Sequence, residues 1–133
     1  NYYKKASLIE GSTGDNLMVL LEKRLDNVLY RSGLFTTRNQ SRQAVNHGHF
    51  TVNSKKVNIP SFQVSIGDEI AWTSKGLKTK LFESSVELSK EIAPPHWLQL
   101  DKNTSTTTVI KDPSPEDGEI VIDVRQIVEF YSR

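Results

Sequence analysis

Leu17, Leu21, Leu25 and Val28, with Met18 and Leu29 beside them, return every three to four residues as one apolar stripe. That spacing predicts an amphipathic helix over about 16–31, the clearest element in the chain. Asp15 or Asn16, in the loop GSTGDN (11–16), is placed to cap its start, and Gly33 to supply a left-handed residue past its end. Residues 1–13 before it also look helical. Thr37-Arg38-Asn39-Gln40 has the T-x-x-Q form of a capping box. It predicts a second, shorter helix over 38–46, ended by Gly48, with a thin buried face of Ala44 and Val45 and with Ser41 at a close helix contact.

From residue 49 the period falls to two. Phe50 and Val52 alternate with Thr51 and Asn53, Asn53-Ser54 suits a tight turn, and Lys55, Lys56 and Val57 lead out of it. Ile59-Pro60 breaks the strand or places it at an edge. Val64 and Ile66 precede a Gly67-Asp68 turn, after which Ile70 and Trp72 make another short strand. Residues 20–75 therefore read as two helices followed by a small, mostly antiparallel sheet, an α+β module. Further on, SKGLKTK (74–80) reads as polar loop. Residues 81–92 read as a helix with Val86 and Leu88 as its buried positions, stopped by Pro94-Pro95. The stretch 101–119 reads as a long irregular loop with at most one short strand near 108–110. Val124, Ile127, Val128 and Tyr131 stand at helical spacing, with Asp123 as a cap.

The 133 residues, 36% hydrophobic and 25% charged, suit one ordinary domain or two small ones. No apolar run approaches the roughly 20 residues of a membrane helix, and nothing at the start reads as a signal peptide, so no membrane association is expected. The chain opens at Asn1 rather than Met and reads as part of a longer protein. It has no cysteine, which excludes disulfides and thiolate metal sites within it and fits a reducing compartment. The net charge of +1 conceals a polarity. Residues 23–56 hold seven basic residues against Asp26, a net of +6, whereas residues 83–133 hold five basic and ten acidic residues, a net of −5. Such a distribution suggests one face for a polyanion.

His47 and His49 flank Gly48 and could hold a metal only with further ligands. The third histidine, His96, is distant, and no Asp or Glu occurs between Asp26 and Asp68. A segment of charge +6 also repels a divalent cation. The pair reads instead as polar groups on a helix-to-strand turn, able to donate to phosphate. No nucleophile elbow, phosphate-binding loop or dinucleotide fingerprint is present. No catalytic residue, metal or cofactor is therefore expected, and an enzyme using His47 and His49 is the lesser reading. Arg24, Arg31, Arg38 and Arg42 lie on helices that have another face to bury, and Lys55 and Lys56 lie at the hairpin. Asn27 shares the flank of Arg24 and Arg31, and Asn39, Gln43 and Asn53 interleave with the cations. That set suits contact with phosphate and sugar. A salt-bridged helix surface is the ordinary alternative, disfavoured because carboxylate partners for four arginines are missing locally. Few aromatic residues stand exposed among them, which points to recognition of folded RNA by shape and backbone.

The spacing R-L-D-N-V-x-Y-R-x-G, then T-R-x-x-x-R-Q-x-V-x-H-G-H, then V-N-x-K-K-V-N-I-P-S resembles the ribosomal protein family "S four" of the bacterial or organellar small subunit. YYKKA and GSTGDNLMVLLE before it, and PHWLQLD and IVEFYSR after it, extend the likeness to nearly the whole chain, with the 102–120 loop poorly matched. The resemblance implies an α+β RNA-binding module of two helices and a small antiparallel sheet, residues 20–97. It would be inserted in a mainly helical second domain formed by 1–19 and 98–133. It further implies a non-enzymatic protein of the cytoplasmic or organellar ribosome. Such a protein binds small-subunit rRNA in the 5′ domain early in assembly, and lies beside neighbouring ribosomal proteins near the mRNA entry path. Two features depart from the family: its longer basic N-terminal arm, sometimes with a cysteine zinc site, is not in this sequence, and VIKDPSPEDGE stands where many members are basic. The rival within the same resemblance is another protein that uses the module, for ribosome rescue or RNA modification.

Overall fold

The computed structural model describes residues 13–114. The chain divides into two compact units, one of residues 24–112 and one that combines 1–23 with 113–133. The helices expected over 1–13 and after Asp123 lie outside the described residues, apart from Thr13 itself. In the second unit the described element is helix α1 (Thr13–Glu22), whose Leu17 and Leu20 are buried.

The helix expected over 16–31 is in fact two, because Arg24 is extended (φ −66°, ψ 139°) and forms an isolated bridge with Gln63. Helix α2 (Leu25–Arg31) begins directly after it. Its first-turn donors are satisfied from far along the chain: the amides of Leu25 and Asp26 donate to the carbonyls of Phe62 and Pro60, at 2.9 and 3.1 Å. The segment around Pro60 thus caps a helix instead of extending a strand. Gly33, with φ +85°, follows the C-cap Ser32 as expected.

Helix α3 (Arg38–Asn46) has the expected bounds. Thr37 Oγ1 accepts from the Gln40 amide at 3.1 Å. The return half of the capping box lands one residue early, since Gln40 Oε1 accepts from the amide of Thr36 at 3.0 Å. Ser41, Ala44 and Val45 form the buried face. Strands β1 (Phe50–Val52) and β2 (Lys55–Lys56) form a hairpin in which Val52 faces Lys55. The two loop residues, Asn53 (φ 51°) and Ser54 (φ 70°), have the paired positive φ of a type I′ turn. Strand β3 (Glu69–Trp72) pairs antiparallel with β1, Phe50 opposite Trp72.

The remaining elements differ from expectation. The 74–80 loop contains a short helix α4 (Ser74–Leu77). Helix α5 (Lys80–Ser89) is shorter than the expected 81–92, and it buries Ser85 and Ser89 while Val86 and Leu88 are only half-buried. Strands β4 (Leu98–Asp101) and β5 (Thr106–Val109) form a second hairpin, where 98 onward was expected in the helical domain and 101–119 as loop with at most one short strand near 108–110. Threonine is β-branched and stiff, so the run Thr106–Thr108 favours a strand despite its polarity. Thr107 is fully buried and donates to Ser32 Oγ at 3.0 Å. The sheet order is β2-β1-β3-β5-β4, antiparallel throughout. An edge of the module at residue 97 therefore cuts this sheet, and the division between compact units falls at 112/113 instead.

Leu25, Val28 and Leu29 of α2 and Ala44 and Val45 of α3 pack with Phe50, Val52, Ile70 and Trp72 of the sheet in one core. Phe50 and Trp72 stack tilted at 4.4 Å, with Phe35 edge-on to Phe50 at 6.0 Å. Such aromatic pairs each add about 0.5–1.5 kcal/mol beyond buried area. The rigid platform they make fixes α3 and the β1–β2 hairpin relative to each other.

Candidate nucleic-acid interface

The unit 24–112 carries twelve basic and eight acidic residues, a net of +4. Those cations fall into two groups with different local chemistry. Arg24 turns onto Asp26 through two parallel bonds, Nε to Oδ1 at 3.1 Å and an Nη to Oδ2 at 3.0 Å. Asp26 is buried, so this fork is part of the fold. Asn27 is only 4% exposed, and its Oδ1 accepts from Arg38 Nε at 2.9 Å. The Arg38 guanidinium lies over the Tyr30 ring, 4.4 Å from its centroid. Arg38 thereby fastens α3 to α2. The expectation that the arginines lack local partners is corrected for Arg24 and Arg38. Asn27 is corrected as an exposed contact, because it is inside.

The second group faces out. Asn39, Arg42, Gln43 and Asn46 are all exposed and stand at i, i+3, i+4 and i+7 along α3, opposite its buried face. Asn46 belongs to this face by the same spacing that gave the other three, and the sequence reading passed over it. His47 is exposed at the C-cap, and Arg31 is half-buried at the end of α2. Asn53, Lys55 and Lys56 are exposed on the hairpin. Asn53 also does structural work: its Oδ1 accepts from the Glu69 amide at 3.0 Å and its Nδ2 donates to Asp68 Oδ1 at 2.9 Å.

The two elements of this face meet at Gly48. Its φ is +77°, and a Cβ there would lie 2.5 Å from Lys56 Cε and 2.8 Å from Lys56 Nζ. The Lys56 stem crosses this corner, and the positive φ favours glycine there. Thr73 holds the corner from behind: its amide donates to the His49 carbonyl at 2.8 Å, and its Oγ1 to the Gly48 carbonyl at 3.1 Å. Lys75 Nζ donates to the His47 carbonyl at 3.4 Å. Gly76 packs so closely that a Cβ would sit 2.7 Å from the His49 carbonyl oxygen. Lys75 is thus a fourth basic group at the corner, with His47, His49 and Lys56. In the sequence it lies in a polar loop 28 residues away from His47, and only the basic character of SKGLKTK hints at it.

His49 is buried, and its Nδ1 has no hydrogen-bond partner. Its pKa is lowered from the ordinary 6.5, first by burial and then by the charges of Lys75, His47 and Lys56. It therefore shapes the corner as a neutral ring, while His47 presents the accessible one. Their rings stand edge-on, 6.0 Å apart. Among the described residues no three His, Asp or Glu side chains gather where one metal ion could reach them, and no helix is long and apolar enough to cross a membrane. What the geometry offers is a convex polar helix face running into a crowded cationic corner, with donors and without a carboxylate on α3, β1 or β2. Clustered like charges of this kind are stabilised by a polyanion that displaces its own counterions.

Residues 23–70 match the family model described as the S4 domain. Small ribosomal subunit protein uS4 of Corynebacterium kroppenstedtii is 51% identical over 132 residues, 99% of this chain and 66% of that protein. The proteins of the same name from Desulforamulus reducens and Syntrophomonas wolfei are 47% and 44% identical over 133 residues, 100% of this chain and 64% of theirs. The chain spans just under two thirds of the length of these curated relatives.

Proposed function

Since the chain belongs to the family of small ribosomal subunit protein uS4, we propose that it is a structural, non-enzymatic constituent of the small ribosomal subunit. On this reading it binds small-subunit rRNA of the 5′ domain, helps nucleate assembly, and lies beside other ribosomal proteins near the mRNA entry path, in a cytoplasmic or organellar ribosome. The observation that carries the reading is the exposed face of α3 continuing into the Gly48 corner. Asn39, Arg42, Gln43 and Asn46 supply donors along one line, and His47, Lys55, Lys56 and Lys75 continue it. Arg42 and the lysines meet phosphates, and the amides meet sugars or groove edges. Arg24, Asn27 and Arg38 support that face from below, and Arg31 and Asn53 lie at its margins.

The rival, a different protein built on the same module, is weakened by the extent of the match. It runs over 99–100% of the chain and not over residues 23–70 alone.

The test is a double variant, Arg42→Ala with Lys56→Ala, assayed for binding to a 5′-domain rRNA fragment across a salt series. The slope of log affinity against log salt should flatten by about 1 per cation removed. Stability should stay within about 0.5 kcal/mol, as both side chains are exposed. Unchanged affinity and slope would remove these residues from the interface.

A further inference from the structure

A different surface of the 24–112 unit carries the opposite charge. Glu83, Glu87 and Glu91 recur every four residues from the start of α5 past its end, all exposed. Beside them runs an open groove of about 460 Å³, between the chain entering α3 and helix α5. Leu34, Phe35, Leu81 and Leu88 give it an apolar floor, and Glu87 and Glu91 are the charged residues of its lining, with no basic residue among them. Ser85 also lines it. That residue is 1% exposed, and its Oγ has no hydrogen-bond partner.

These features choose among ligands. Two carboxylates against the single, largely exposed Lys90 leave the groove acidic and turn a phosphate backbone away, so rRNA does not fit. A purely apolar segment would leave the excess carboxylate charge without a countercharge. We propose that this groove receives an extended segment of a neighbouring protein in which lysine or arginine stands next to apolar side chains. The apolar side chains seat on Leu34, Phe35, Leu81 and Leu88, and the cation meets Glu87 and Glu91. Glu87 now pairs with Lys90 at 2.9 Å, but both are largely exposed. Such a surface pair is worth at most about 1 kcal/mol and exchanges readily for an incoming guanidinium. The protein would then have a basic face for nucleic acid and an acidic groove for protein.

The ribosomal setting of the partner rests on the function proposed above, so the test has two arms. In the first, a photo-reactive residue replaces Ser84, which lines the groove and is exposed, and the chain is assembled into small subunits. The adduct should form with protein, on a segment that holds Lys or Arg within about three residues of an apolar side chain. The double variant Glu87→Lys, Glu91→Lys should lower adduct yield about tenfold with incorporation unchanged. An adduct with rRNA, one with a segment lacking a basic residue, no adduct in assembled subunits, or an undiminished yield in the double variant would each overturn the proposal. In the second arm, a synthetic peptide of alternating leucine and arginine is titrated against the free chain. Amide resonances of residues 84–88 should shift by about 1 mM peptide, and should not shift with glutamate in place of arginine. Absence of those shifts overturns the groove proposal by itself. Shifts from a chain that does not enter small subunits overturn the ribosomal reading and leave the groove standing.

Discussion

Arg38 and Arg42 lie one turn apart on the same helix, yet they belong to different parts of the molecule. Arg38 is half-buried, hydrogen-bonded to Asn27 and laid on Tyr30. Arg42 is exposed and has no hydrogen-bond or ion-pair partner among the described residues. The contrast extends to the segments around them. The α2 flank, with Arg24 on Asp26 and Asn27 inside, uses its polar groups to hold two helices together. The outer face of α3 and the β1–β2 hairpin use theirs for solvent or a partner. A count of cations treats the two alike. What separates them is whether an acceptor lies within about 3 Å when the chain is folded.

The sharpest way to break the comparison is at Asp26. Its replacement by alanine leaves the Arg24 guanidinium, whose side chain is 23% exposed, without its fork. Removing one partner of a fully buried pair costs about 3–5 kcal/mol; partial exposure lowers the expectation here to about 2–3 kcal/mol. Urea unfolding measures it. The folded fraction should keep the rRNA affinity and salt slope of the parent. A stability loss below about 0.5 kcal/mol would return Arg24 to the set of free surface cations.

Arg38→Ala sharpens the comparison with Arg42. It removes a charged donor from buried Asn27 and a cation from the Tyr30 ring, at a cost of about 1–2 kcal/mol. Its salt slope should stay near that of the parent, while loss of Arg42 flattens it. If Arg38→Ala flattens the slope as much, the guanidinium reaches phosphate over the edge of Tyr30, and the division between the two arginines fails.

What could be read from the chain follows the range of the interactions. The N-cap at Thr37, the bounds of α3, the Asn53-Ser54 turn and the alternation in β1 and β3 are local, and each stands where its pattern put it. The partners of the arginines are not local in that sense. On one continuous helix, residues two apart do not face each other, so Asp26 offered nothing to Arg24. It is the docking of residues 60–62 onto the start of α2 that leaves Arg24 extended and lets the pair close. Asn27 and Arg38 meet across a helix junction, and Lys75 reaches His47 from after the third strand. Strand β5 was legible only as a short strand near 108–110, for another reason: three threonines and a serine look like loop until Thr107 finds Ser32 inside.

The corner at Gly48 offers the subtlest test, through His49. Every charge that acts on this ring, from Lys75, His47 or Lys56, opposes its protonation, and burial opposes it first. The unfolded chain protonates His49 near 6.5, and the folded chain does so only at lower pH. As pH falls below about 6.5 the unfolded state binds the proton more readily, so stability declines toward the lowered folded value and is complete above 6.5. The range from pH 7.5 to 5.5 stays clear of the ordinary carboxylate region. Urea midpoints of the parent should therefore drop across that range, and those of His49→Asn should drop less. Equal drops would assign the effect to other groups and leave His49 as packing alone. If the histidine responds as expected, burial first and the nearby cations after it oppose its charge in the free protein. The share owed to the cations is what an arriving phosphate relieves, whereas on the α2 flank Arg24 and Arg38 already have their partners.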